Sequence, residues 1–417
     1  MKKTAKFLSL ILSIMMVLSL AACGSGGSSS TKKNSAAAKT PYSDSPQDID
    51  EIIKEMVNKY DLPELSKEDK NYTINLGYYN CDHMAAAAVG QYTGIYKALG
   101  MKVKVTGNGN VPEAMSAGKM DVGYVGYGTT LSAVKNNVPL FYAADNHIGG
   151  SYYLVVSNKI KDPKDLVGKK IGLGEDPQVN ELDWVEWTQK LGIPTDGSNY
   201  KLYDMSDSDK FLAMKNGKLD AYVCCDPWAS MAEYSKVGRI LAESDPSTFQ
   251  SGHGTCCKFT MNKNFAEAHP ALAERMCLAH SLCIEFMYEH PYYAAEIFST
   301  YYNVPMEVAM KTYWRKFCKE GRTIRWDLNE QYMENQINEM RRLGVRNDIN
   351  DVSVSQVVDT QYMDNSGADN FDDFIKTNID PVFPENISFK KFKAKAYAID
   401  GVDADDVPEY SELEKKD

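Results

Sequence analysis

No arginine occurs before Arg239 in this 417-residue chain. An anion bound by the first half would meet no bidentate guanidinium there. It would rest on helix N-termini, hydroxyls and histidine, unless a later residue such as Arg322 or Arg325 reaches it. Positive charge is short throughout, with 46 Lys and Arg against 57 Asp and Glu, which argues against nucleic acid as a partner. Beyond about residue 20 no apolar run reaches the ~20 residues a membrane-spanning helix needs. Neither G-x-S-x-G nor H-E-x-x-H occurs, so two common hydrolytic signatures are missing.

Residues 1–23, "MKKTAKFLSLILSIMMVLSLAAC", do carry an apolar run, but behind Lys2, Lys3 and Lys6 and ending on small residues. That order predicts a secretion signal. "LAAC" resembles the lipobox of bacterial lipoproteins, which implies that Cys23 becomes the lipidated first residue. The polar stretch "GSGGSSSTKKNS" that follows suits a tether, and residues 24–71 are read as tether and N-terminal extension. The expected location is the extracytoplasmic face of the cell membrane, reached by a lipid anchor rather than a spanning helix.

Eight cysteines remain, at 81, 224, 225, 256, 257, 277, 283 and 318, too few for a disulfide framework in a chain this long. Neighbouring cysteines in extended chain point to opposite faces. The pairs 224–225 and 256–257 therefore do not chelate one ion as a C-x-x-C pair does. Cys277 and Cys283 fall in a helical stretch and read as small buried hydrophobes. A disulfide between two cysteines beside a cleft, and a structural metal, remain as alternatives.

From Tyr72 onward, β-branched and aromatic runs alternate with helical periods. "YTINLGYYN", "MKVKVTGNG", "MDVGYVGYG" and "VPLFYAADN" read as strands of a first βαβ series. "KKIGLG", "YKLYDM", "LDAYVCCD" and "RILAES" belong to a second, "TCCKFTMNK" is a further strand, and the chain after Asn264 is mostly helical. Such series predict parallel sheets with helices on both faces. Two α/β lobes joined by extended crossovers near 148–156 and 246–256 follow, with a ligand between them outside the carboxyl ends of the strands.

Several stretches, in order, resemble the substrate-binding proteins of ABC importers of the nitrate, sulfonate and taurine type. They are "GQYTGIYKALGMKVKV", "EAMSAGKMDVGYVGYGTTLSAVKNNVPLFYAA", "IKDPKDLVGKKIGLG", "FLAMKNGKLDAYVCCDPWAS" and "NFAEAHPALAERM". The resemblance spans about 72 to 390. It implies an α/β, two-lobed periplasmic-binding-protein type II fold. Lobe one would comprise 72–149 and 256–390, lobe two 150–255, and 391–417 would be a C-terminal extension. It also implies a monomer that captures a small polar solute and hands it to a membrane permease. The Cys224–Cys225 pair departs from the family pattern.

Strand ends supply the candidate ligand contacts. After the first strand come Asn80, Asp82 and His83, with Tyr78 and Tyr79 as stacking faces. After the third come Tyr127, Gly128, Thr129 and Thr130, whose hydroxyls and helix-start amides suit an anion. Asn146 and His147 precede the first crossover, Glu175 follows "KKIGL", and His253 sits in the second crossover. Asp226 ends "LDAYVCC", where it either caps the helix that Pro227 begins or contacts ligand. Trp228 is a stacking wall or a packing residue. With Asp82, Glu175 and Asp226 near, an aminosulfonate-like zwitterion or a thiamine-precursor pyrimidine suits the site better than nitrate. Three of the six histidines fall in cleft segments, which leaves a metal- or metallophore-binding lipoprotein as the alternative. Some proteins resembling this fold are pyrimidine synthases with a cofactor, so an enzyme is the third reading. No catalytic residue, cofactor or resident metal is assigned from the sequence.

Overall fold

A computed structural model describes residues 47–416, apart from 80, 108–109 and 150–151. The expected leader, Cys23, most of the tether, and Asn80 lie outside the described residues. Ten strands are present among the described residues: β1 (Thr73–Tyr78), β2 (Lys102–Gly107), β3 (Val122–Gly126), β4 (Leu140–His147), β5 (Tyr152–Ser157), β6 (Lys170–Gly172), β7 (Lys201–Tyr203), β8 (Ala221–Cys225), β9 (Gly238–Glu243) and β10 (Cys257–Asn262). They form two five-stranded sheets, ordered β2-β1-β3-β10-β4 and β7-β6-β8-β5-β9.

The sheets are mixed, which corrects the expectation of purely parallel ones. β1 runs parallel to β2 and β3, but β10 is antiparallel to β3 and β4, and β5 is antiparallel to β8 and β9. The cause is the double crossover. β4 ends where the chain leaves the first sheet, so β5 starts at the same edge of the second and runs away from it. β9 returns, and β10 enters the first sheet in the same reversed sense. This brings the ends of β1, β3 and β8 to the starts of β5 and β10.

Alternation along the strands sets what faces where. In the second sheet Leu154, Val156, Ala221 and Val223 pack on one face with Trp184 and Trp187. Tyr153, Val155, Tyr222 and Cys224 pack on the other with Phe211, Met214 and Ala229. Such two-sided burial explains why "LDAYVCC" is apolar throughout. Cys225 belongs instead to the large core around the first sheet, on the opposite side from Cys224.

The longest helix among the described residues, Pro270–Glu289, buries most of its circumference, and its sequence lacks a continuous polar face for that reason. Among the described residues no helix is long and apolar enough to cross a membrane. Burial pushes the carboxyl of Glu285 in this helix up to about 8 from 4.5, with Glu289 and Asp369 adding repulsion. The unfolded chain releases this proton near 4.5 and the folded chain holds it to about 8, so folding stability falls as pH rises through that window. Glu285→Gln should therefore stabilise the chain by roughly 3 kcal/mol near pH 7. The advantage should vanish near the unfolded pKa, which thermal melts across the window would read.

Candidate functional site

The strand ends enclose a cavity of about 590 Å³. From the first sheet it is walled by Tyr79, Cys81, His83 and Met84 after β1, by Gly126 and Thr129 at β3, and by Cys257 at the start of β10. From the second come Tyr152, Cys225, Trp228 and the run Ser206-Asp207-Ser208. No lysine or arginine is among these residues. Arg322 is buried elsewhere against Asp380 and the carbonyls of Phe317 and Phe383, and Arg325 pairs with Asp327 and Asp372.

Two helices begin at the cavity. Tyr127–Lys135 has Gly126 as its N-cap, which supplies no side-chain acceptor, and the Tyr127 amide donates to the Cys256 carbonyl at 2.9 Å. Asp207–Lys215 is capped by Ser206, whose hydroxyl accepts from the Asp209 amide. Asp207 bridges inward, its carboxylate 2.9 Å from Lys210 Nζ and accepting the Cys225 amide at 3.0 Å. Burial by itself would disfavour the Lys210 ammonium, but Asp207 outweighs it and raises its pKa.

The floor is a thiol and imidazole cluster. His83 Nε2 lies 2.9 Å from Cys257 Sγ and 3.3 Å from Cys81 Sγ, and Cys256 Sγ lies 3.5 Å from Cys257 Sγ. His83 Nδ1 is 3.1 Å from the Asp82 carboxylate, and Asn146 donates to the His83 carbonyl at 2.5 Å. His147 stacks on the His83 ring at 4.9 Å. Burial, then Cys225, raises the Cys81 thiol pKa, and burial followed by Cys256 does the same for Cys257. For His83, burial disfavours the imidazolium but Asp82 prevails, and its pKa rises. His147 goes the other way, lowered by burial and by the neighbouring His83.

Beneath the floor sits a buried ionic layer that joins the sheets. A π-helical turn, Arg315–Lys319, brings Lys316 Nζ to 3.1 Å from Asp82, 2.8 Å from Glu320 and 2.9 Å from the Tyr153 hydroxyl. Burial opposes the Asp82 carboxylate, but Lys316 and His83 outweigh it and hold its pKa low. The Asp82 amide donates to the Asp226 carbonyl at 3.0 Å.

Of the residues expected at the ligand, His83, Thr129, Trp228 and Tyr79 stand on the cavity wall. Asp82 lies one layer below. Tyr127 turns into a separate core, where its hydroxyl donates to the Met333 carbonyl at 3.1 Å. Gly128 faces Arg346 and Ile349, Thr130 is buried beside Thr260, and Glu175 is exposed beyond β6. His253 stacks on Tyr332 at 4.4 Å and lines another cavity of about 270 Å³. Tyr78 is buried against Tyr302.

Asp226 is fully buried and accepts from the Ser230 amide at 2.8 Å and its hydroxyl at 3.1 Å, with Arg315 at 3.7 Å. It is absent from the cavity wall, so capping and internal pairing occupy it. Asp226→Ala should cost about 2 kcal/mol of stability. Asp226→Asn should cost less because it keeps an acceptor for Ser230. Neither should move solute affinity by as much as tenfold, which denaturation and calorimetry together would check.

Sequence reasoning missed Cys81, Cys225 and Cys257 as one group, along with the Ser206-Asp207-Ser208 run and Lys316. The available signal was that each vicinal cysteine pair abuts a strand terminus, so alternation must send one member of each toward the cleft.

Residues 67–297 match the sequence model of the NMT1-like family. The chain is 25% identical over 180 residues to the taurine-binding periplasmic protein of Escherichia coli (strain K12). That stretch covers 41% of this chain and 52%, about half, of the relative. Among solved structures, the ligand-binding component of an ABC-type import system from Staphylococcus aureus, with zinc bound, superposes with a TM-score of 0.58 at 12% identity, over 72% of this chain and 100% of that one. The periplasmic nitrate-binding protein of Synechocystis PCC 6803 gives 0.56 at 14% identity, over 81% and 100%. The periplasmic aliphatic sulphonate-binding protein of Escherichia coli gives 0.51 at 15%, over 69% and 91%. The shared feature is the fold, a two-lobed type II binding-protein architecture.

Proposed function

The chain belongs to the NMT1-like family, and from that premise we propose that it is the extracytoplasmic solute-binding component of an ABC importer. The observation that carries the proposal is the 590 Å³ cavity walled by both sheets at their strand ends, where movement of one sheet toward the other would enclose a small solute. Closure would exclude water, strengthen the few polar contacts and create the surface a permease reads.

The solute class follows from the wall. A simple anion would find no lysine or arginine side chain there, so we assign a small polar solute that is neutral or zwitterionic. An aminosulfonate would set its anionic end against Thr129 and the start of helix Tyr127–Lys135, and its ammonium near Asp207. A pyrimidine-like ring would use Tyr79, Tyr152 and Trp228 as stacking faces. Lobes divided at 149/150 and 255/256, a lipid anchor at Cys23 and a monomeric state complete the proposal.

Thermal-shift screening of unliganded protein against aminosulfonates, pyrimidines, amino acids and nitrate tests it, because a ligand bound only by the folded chain raises its melting temperature. A response to an aminosulfonate or a pyrimidine, and none to nitrate, is expected. A shift with nitrate alone would reject the solute class.

A further inference from the structure

We infer that the floor of the cleft is a metal site, in which Cys81, His83, Cys225 and Cys257 bind one thiophilic cation of the zinc type. The inference rests on side-chain geometry in this chain and not on the transport reading.

Two overlapping groups have ligand atoms mutually within 4.8 Å: Cys81, Asp82, His83 and Cys225, and then His83, Cys256 and Cys257. His83 is common to both, whereas Cys257 falls outside the group that holds Cys81 and Cys225, so its thiol must swing toward them to complete a four-ligand set around one ion. In a tetrahedral zinc site, bonds of about 2.3 Å to sulfur and 2.0 Å to nitrogen make neighbouring ligand atoms about 3.5–3.8 Å apart. The sulfur-to-nitrogen separations of 3.3 and 2.9 Å lie a few tenths of an ångström below that range, so a small side-chain rotation would open them.

The imidazole is already oriented for the task. Nε2 faces the two thiols while Nδ1 faces Asp82, and Asp82 is itself fixed by Lys316. A carboxylate behind a histidine selects the tautomer with Nδ1–H and leaves the Nε2 lone pair for a metal. Asp82 therefore acts as a positioning residue. Sulfur ligands favour zinc or copper(I) over magnesium or calcium, which take oxygen. The four residues also line the open cavity, so an ion has a way in.

Cys81, His83 and Cys257 stand on the first sheet, whereas Cys225 ends β8 of the second. A bound ion would thus tie the sheets together across the cleft. Each thiol that ligates gives up its proton to solvent, and no electron transfer is involved. Because ligation releases these protons, binding should tighten as pH rises.

The test uses the full-length chain, reduced and stripped with chelator, titrated with Co2+ and then Zn2+. One equivalent of Co2+ with a thiolate-to-cobalt charge-transfer band is expected, bleached by Zn2+, with a rise in melting temperature in unmodified protein. Cys81→Ser, Cys257→Ser and Cys225→Ser should each weaken Zn2+ binding at least tenfold. Cys277→Ser, in helix Pro270–Glu289, should leave it unchanged, and His83→Gln supplies a second probe should a cysteine variant unfold. Absence of the charge-transfer band, equal affinity in all variants, or a Cys81–Cys225 disulfide that persists under reduction would each overturn the inference. Solute binding by the metal-free chain is scored separately, so failure of one reading leaves the other standing.

Discussion

Lys316→Met should destabilise the folded chain by about 3–5 kcal/mol, because it removes the cation from a buried layer that retains two carboxylates. Lys316 is fully buried, as is Asp82, and Glu320 is nearly so. Burial opposes the ammonium, but Asp82 and Glu320 outweigh that effect and raise its pKa. Without it, both carboxyls would sit in low dielectric with folded-state pKa values above their unfolded ones. The loss should then be greatest at neutral pH and shrink as pH falls toward the unfolded carboxylate pKa of about 4. Lys316→Met with Glu320→Gln should recover part of it. Denaturant unfolding of both variants at pH 5 and pH 7 would check the magnitude and its slope. A deficit below about 1 kcal/mol at both pH values would show that water reaches this layer.

Cys23→Ala should move nearly all of the protein from the membrane fraction into the medium or periplasm. Acyl chains on Cys23 are the proposed anchor, and each buried methylene contributes about 0.8 kcal/mol to membrane affinity. Two or more chains give stable retention, and their loss leaves a net-acidic protein that an anionic surface repels. Fractionation with labelled lipid reads the result directly. Unchanged retention without label would mean that Cys23 is not the anchor.

Much of the architecture was legible in the sequence because strand alternation and helical period are local properties. Nine of the ten strands fall in runs that their β-branched and aromatic residues mark, whereas β5 (Tyr152–Ser157) lies in the stretch near 148–156 that reads as an extended crossover. Direction was not local. Nothing in "SYYLVVSNK" or "TCCKFTMNK" says that β5 and β10 run against their neighbours; that follows from the crossovers entering at the cleft edge.

Position at the cavity was legible where a residue directly follows a strand, as at His83 and Trp228. It was not legible where helix rotation decides the outcome. Tyr127, Gly128, Thr129 and Thr130 are consecutive, yet at roughly 100° per residue only Thr129 of the four reaches the cavity. For Asp226 the sequence left capping and ligand contact both open, because its partner Arg315 lies far along the chain in a helical tail that shows no periodic sign of contact. Lys316 was hidden for the same reason. The thiol cluster was missed because each vicinal pair was judged alone, whereas the chemistry lies in one member of each pair meeting Cys81 and His83.

The most direct test of the central claim is calorimetric titration of unliganded protein with the solute that raises its melting temperature, alongside Trp228→Ala and Tyr79→Ala. One site per chain, with affinity weakened more than tenfold in at least one variant, is the predicted result, since both rings wall the cavity. Binding that neither variant disturbs would place the solute elsewhere and contradict the account.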